Sequence, residues 1–125
     1  MPEPNVVLFN AAGTQLASNA GWESGAAAEI TRASARMGAF PLVAGTKDSA
    51  LVTTLAPGPY TAQVVPGGGV AGTVLVEVYD LTPGNGYLVN QSARGEVREG
   101  QAVLVAGFVI NGSSPRRALV RCAGP

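Results

Sequence analysis

Apolar and polar residues alternate along most of this chain with a period of two, the repeat of a half-buried β-strand. In YTAQVV (60–65) Tyr60, Ala62 and Val64 share one face, and Thr61 and Gln63 the other. In TVLVEVYDL, Val74, Val76 and Val78 line one face; Thr73, Leu75, Glu77 and Tyr79 line the other. NVVLFN (5–10) and QLASN flank the turn AAGT. ALVTTL (50–55) is expected to pair with YTAQVV across APGP. PGGGVAG, TPGNG and REGQ punctuate the run onward through YLVNQSARGEV to AVLVAGFVI. Turns at this spacing predict an all-β chain with one short helix: an antiparallel β-sandwich, jelly-roll or Ig-like, as a single domain over residues 1–125.

The helix is expected around residues 25–37, in SGAAAEITRASARMGAF. Its apolar stripe is Ala26, Ala27, Ile30, Ala33 and Met37, with Glu29, Arg32 and Arg36 turned away. Ser24 is placed to cap its start, and Gly38 to stop it, since glycine takes left-handed dihedrals without penalty. Such a helix can cover an open end or edge of the sandwich.

The last forty residues bring VLVAGFVI (103–110) against RRALVRC through NGSSP, which has the composition of a hairpin turn. VLVAGFVI is apolar at every position, which predicts a strand covered on both faces, either central in its sheet or capped by the helix or by a neighbouring protein, with Gly107 at a bulge or close approach. In RRALVRC, Ala118, Val120 and Cys122 are expected to face the core. Arg117, Leu119 and Arg121 are expected to face solvent or a partner.

Charge narrows the picture. Eight basic and eight acidic residues cancel, so no long-range field gathers nucleic acid. Only 13% of residues are charged against 46% apolar, a surface suited to packing against copies or to life outside the cell. No apolar stretch reaches the ~18 residues that span a bilayer, so membrane insertion is not expected. MPEPNVVLF lacks the pattern of a signal peptide.

Candidate chemistry is sparse. Histidine is absent, which removes the commonest general base and zinc ligand. The single cysteine, Cys122, has no histidine to activate it and reads as a small core hydrophobe. No carboxylate series has calcium-loop spacing, although Glu23 and Asp48 with Asn10 and Asn19 could meet in a loop cluster. No cofactor or metal and no enzymatic activity are therefore expected. Trp22, between a strand and the helix, reads as a hydrophobic plug or as a sugar-stacking residue. With Asn10, Asn19 and Asn85 it forms the candidate glycan contact. Arg94, at a turn before Gly95, is expected to bond loop carbonyls or a carboxylate.

YLVNQSARGEVREGQAVLVAGFVINGSSPRRALVRCAGP resembles a repeated module of large exported proteins in Verrucomicrobia and Planctomycetes. The shared pattern is L-V-N-x-S-x-R-G (88–95), then A-G-F-V-I-x-G (106–112), then Gly124-Pro125. The P-x-V-x-L-F-N-x-x-G strand pair, N-x-x-W, the alanine-rich helix and L-x-P-G-P-Y-T-A-Q-V extend the likeness over essentially the whole chain. LFNAAGTQLASN and LAPGPYTAQV are also similar to bacterial pre-peptidase C-terminal domains, which are small extracellular β-sandwiches. Two departures bear on what carries over. Acidic residues that precede the tryptophan in relatives are Ala20 and Gly21 here, so no calcium role is transferred. The two halves of the pattern also stand in the reverse order, as in one period cut from a tandem array or a subunit whose ends meet.

The resemblance and the low charge together imply a non-enzymatic structural module, extracellular or at the bacterial surface. Such a module associates head to tail with copies of itself or with adjacent modules. The expected contact surface is Val7, Phe9, Phe108, Ile110, Arg117, Leu119, Arg121 and Pro125. A carbohydrate-binding or adhesive accessory domain, meeting cell-surface glycan, is the alternative.

Overall fold

The period-two segments form strands in a computed structural model that describes residues 3–67, 72–82, 90–97, 104–110 and 112–124. Among these, the strands are β1 (Glu3–Asn10), β2 (Gln15–Asn19), β3 (Ser49–Leu55), β4 (Gly58–Gly67), β5 (Gly72–Asp80), β6 (Asn90–Val97), β7 (Leu104–Ile110) and β8 (Arg116–Ala123). A 3-10 turn (Trp22–Ser24) and helix α1 (Ala27–Arg36) lie between β2 and β3. Two four-stranded sheets result, in the orders β2-β1-β4-β7 and β3-β8-β5-β6, with every pair antiparallel. This is the all-β sandwich with one short helix that the alternation predicts.

The predicted inward faces meet between the sheets. Val6 and Leu8 of β1, Ala62 and Val64 of β4, Val74, Val76 and Val78 of β5, and Val120 and Cys122 of β8 form one core. Tyr60 and Phe108 stack at its end with ring centroids 5.7 Å apart.

Strand pairing departs from the expectation at two places. Only β1–β2 and β5–β6 are sequence-adjacent pairs. The links from β3 to β4 and from β7 to β8 instead carry the chain from one sheet to the other. A tight hairpin turn joins strands in one plane, whereas APGP holds two prolines, which fix their own φ and offer no N–H to such a turn. The Tyr60 hydroxyl clamps this arch by donating to the Ala56 carbonyl at 2.6 Å. In the link from β7 to β8, Gly112 takes φ 104, a dihedral that side-chain-bearing residues avoid.

The second correction concerns β7. It is an edge strand, with Leu104 packed against the core and Ala106, Phe108 and Ile110 buried in it, but with Val105 and Val109 at 54% and 50% exposure. Gly107 pairs in register with Thr61 and its added Cβ would touch nothing closer than 4.0 Å, so it marks neither a bulge nor a close approach.

Helix α1 packs on the outer face of the second sheet. Ile30 and Ala33 bury themselves with Trp22, Ala50, Tyr79, Leu81 and Leu119 in a second cluster, and Ala27 and Met37 are half-buried beside it. Gly38 ends the helix at φ 70 as expected. Ser24 does not cap it: Ala26 holds the cap position, and the Ser24 hydroxyl donates to the Gly21 carbonyl at 2.7 Å.

Both ends of the described chain are held by one dipeptide. The Ser49 hydroxyl donates to the Pro4 carbonyl at 2.5 Å, and the Asp48 carboxylate accepts the Gly124 N–H at 2.9 Å.

Candidate functional surfaces

Of the described residues of the expected glycan contact, Asn19 lies near Trp22, while Asn10 stands at the other end of β2. Trp22 is buried, its indole N–H directed to the Val43 carbonyl at 3.3 Å, and it lines a largely apolar cavity of about 230 Å³ with Ile30, Ala39, Pro41 and Leu42 rather than standing open on the surface. The Asn10 side chain accepts the Ala12 and Thr14 N–H groups, closing the β1–β2 turn. Asn19, at the other end of β2, accepts the N–H groups of Gly21 and Ala50. Asn85 lies outside the described residues. The proposed loop cluster of oxygens also dissolves, since Glu23 accepts the Gly45 N–H and Asp48 that of Gly124. Among the described residues, no group of three or more metal-ligating side chains comes together.

The described residues of the expected association surface separate into four sets. Phe108 and Ile110 are core residues, because β7 directs its even-numbered side chains inward. Leu119 and Arg121 are fully buried. They do point away from the inter-sheet core, but α1 and the segment after it cover that face of β8. Val7 and Phe9 are half-buried on the outer face of β1, and Arg117 is exposed beside α1. Pro125 lies outside the described residues, as does the side chain of Arg94.

Arg121 is the unexpected feature of the covered face. Its Nε stands 3.6 Å from a Glu77 carboxylate oxygen, and the Phe40 ring centroid lies 4.3 Å from the guanidinium carbon. The other Glu77 oxygen accepts the Tyr79 hydroxyl at 2.6 Å. Burial, and then this bond to Glu77, push the Tyr79 phenol up to about 12. All three guanidinium nitrogens of Arg121 are buried with no hydrogen-bond acceptor in reach. Cys122 faces the opposite way, into the core, and burial pushes its thiol up to about 12. A protonated thiol at neutral pH is no nucleophile.

The two sheets differ sharply in charge. The first sheet, β2-β1-β4-β7, contains a single charged residue, Glu3 at its margin. Its outer face presents Val7, Phe9, Val65, Val105 and Val109 around Thr61 and Gln63, and no described element of this chain covers it. The helix side carries Glu29, Arg32, Arg36 and Arg117, and Arg116 has the inter-sheet phase of β8. Arg116 pairs with Asp80 at 3.2 Å, and Arg117 pairs with Glu29.

No described helix is long and apolar enough to cross a membrane. No protein-family model, curated protein or solved structure matches the chain.

Proposed function

We propose that this protein is a non-enzymatic, exported structural module that associates with copies of itself through the outer face of the sheet β2-β1-β4-β7. The observation that carries the reading is the near-absence of charge from that sheet, combined with half-exposed valines on its edge strand. Monomers usually protect such an edge with lysine, proline or a bulge; Leu104–Ile110 has none of these. A second copy is the favoured occupant because a face whose one charge, Glu3, lies at its margin sets almost no like charges against each other.

The area sets the strength. Strands spaced ~4.8 Å apart and rising ~3.3 Å per residue give the four strands a footprint of roughly 480 Å². Two such faces bury roughly 1,000 Å² together, at the weak end of specific interfaces. Pairing of one patch with itself is two-fold and closes at a dimer, whereas a head-to-tail filament needs two different patches. The low overall charge and the sequence resemblance to tandem exported modules support the structural role.

Sedimentation equilibrium of the parent and of the Val105→Lys/Val109→Lys variant tests the reading. The parent should show a dimer with a dissociation constant of roughly 10–100 μM, consistent with the small area. The doubly charged variant should remain monomeric and equally stable, since both positions are half-exposed. A parent that stays monomeric at millimolar concentration overturns the reading.

A further inference from the structure

On the opposite side of the molecule, α1 and the start of β8 enclose a groove of about 370 Å³ lined by Glu29, Arg32, Ala33, Arg36, Leu81 and Arg117. The geometry points to this groove as a binding site for an anionic polysaccharide, one that bears repeated carboxylate or sulfate groups.

Charge is the first support. Three of the eight basic residues of a charge-poor chain line one groove, against a single carboxylate. That carboxylate, Glu29, is already paired with Arg117. Arg32 and Arg36 have no ion pair or hydrogen bond among the described residues, so the groove keeps two uncompensated guanidinium groups. Placed four apart, they stand on one helix face about 5–6 Å from each other at Cβ. Like charges at that spacing oppose the helix that carries them, and a bridging oxyanion reverses the sign of the interaction.

Rigidity is the second support. The far wall is fixed by the backbone: Leu81 donates its N–H to the Arg117 carbonyl at 2.7 Å, and the Arg117 N–H donates to the Thr82 hydroxyl at 2.7 Å. Ile30 and Ala33 anchor the near wall in the sheet. On the anchored helix, Arg32 and Arg36 offer planar donor forks for the bidentate contacts that carboxylates and sulfates accept, facing a far wall whose Arg117 is paired with Glu29.

The floor decides the ligand class. Ala33 and Leu81 are almost fully covered and offer little apolar surface to a peptide's side chains. A hydrophilic chain dense in oxyanions needs only the arginines and the groove between them.

The test is titration calorimetry of the whole protein with polygalacturonate, dextran sulfate, neutral dextran and poly-L-glutamate. The first two probes separate carboxylate from sulfate recognition. Binding to at least one of them is expected, weakening steeply between about 50 and 200 mM salt. Neutral dextran should not bind. Arg32→Gln/Arg36→Gln should reduce affinity about tenfold or more with an unchanged thermal midpoint, because both side chains are exposed. Lys47→Gln, outside the groove, should bind as the parent does. No binding to either anionic polysaccharide overturns the proposal, as does equal binding of neutral dextran or undiminished affinity in the double variant. Tighter binding of poly-L-glutamate reassigns the groove to acidic peptides.

Discussion

Replacing Arg121 with methionine should destabilise the protein by about 3–5 kcal/mol, and restoring neutrality at Glu77 should recover most of that loss. At 3.6 Å and an effective dielectric constant of about 20, the Arg121–Glu77 attraction is about 4–5 kcal/mol. Screening by solvent is slight, since the Arg121 and Glu77 side chains are 0% and 10% exposed. Against this attraction stand three guanidinium nitrogens and one carboxylate oxygen without hydrogen-bond partners, each costing about 1–3 kcal/mol. The pair therefore contributes little net stability, although either charge left alone is expensive.

Arg121→Met fills the space and leaves Glu77 buried without its cation. Glu77→Gln leaves Arg121 with only the Phe40 ring, while Gln still accepts the Tyr79 hydroxyl. The double variant keeps that bond and removes both charges. Urea unfolding of the four proteins should show two destabilised single variants and a double variant within about 1–2 kcal/mol of the parent. A double variant as unstable as Arg121→Met alone would refute the reasoning. Packing and the cation–ring contact, rather than an uncompensated charge, would then hold the site together.

Two further outcomes follow from the second sheet and the helix on it. Ile30→Ala should cost about 2–5 kcal/mol, because Ile30 is the largest α1 side chain in the cluster against the sheet. A loss under 0.5 kcal/mol, read by urea unfolding, would show that the helix is not anchored there. Tyr79 and Cys122 both titrate higher in the folded protein than their ordinary values of 10.0 and 9.0, each rising to about 12. Their stabilisation is complete below about pH 9 and is lost as pH climbs toward 12. The thermal midpoint should therefore fall over that window, and the fall should flatten in Tyr79→Phe/Cys122→Ala; an equal fall in the variant would dismiss both groups as its source.

The strands were legible because alternation is a local property. Tyr60, Ala62, Val64 and the valines of β5 could be assigned to the core from period alone. Pairing was not, because APGP and NGSSP look like hairpin turns until the sheets into which they feed are known. The same limit explains Arg121. Phase correctly sets Arg117, Leu119 and Arg121 opposite Ala118, Val120 and Cys122, but phase cannot say whether a second layer covers them. Signals for that layer were present: Leu119 lies between two arginines, and Glu77 and Tyr79 share the corresponding phase on β5. Helix α1 also needs an apolar sheet face to receive Ile30. For the arginine groove, Arg32 and Arg36 at helical spacing were visible, while Arg117 and Leu81 join them only through the β5–β8 pairing.

The Asp48–Ser49 clasp has a consequence for architecture. Because it gathers Pro4 and Gly124 at one place, units joined covalently through short connections would hang as pendants from a common spine. They would not stack as beads along a rod. Each pendant would keep its charge-poor sheet free to meet a neighbour and its arginine groove turned the other way. Length and cohesion would then come from different parts of the molecule, the connections setting the one and the sheets the other.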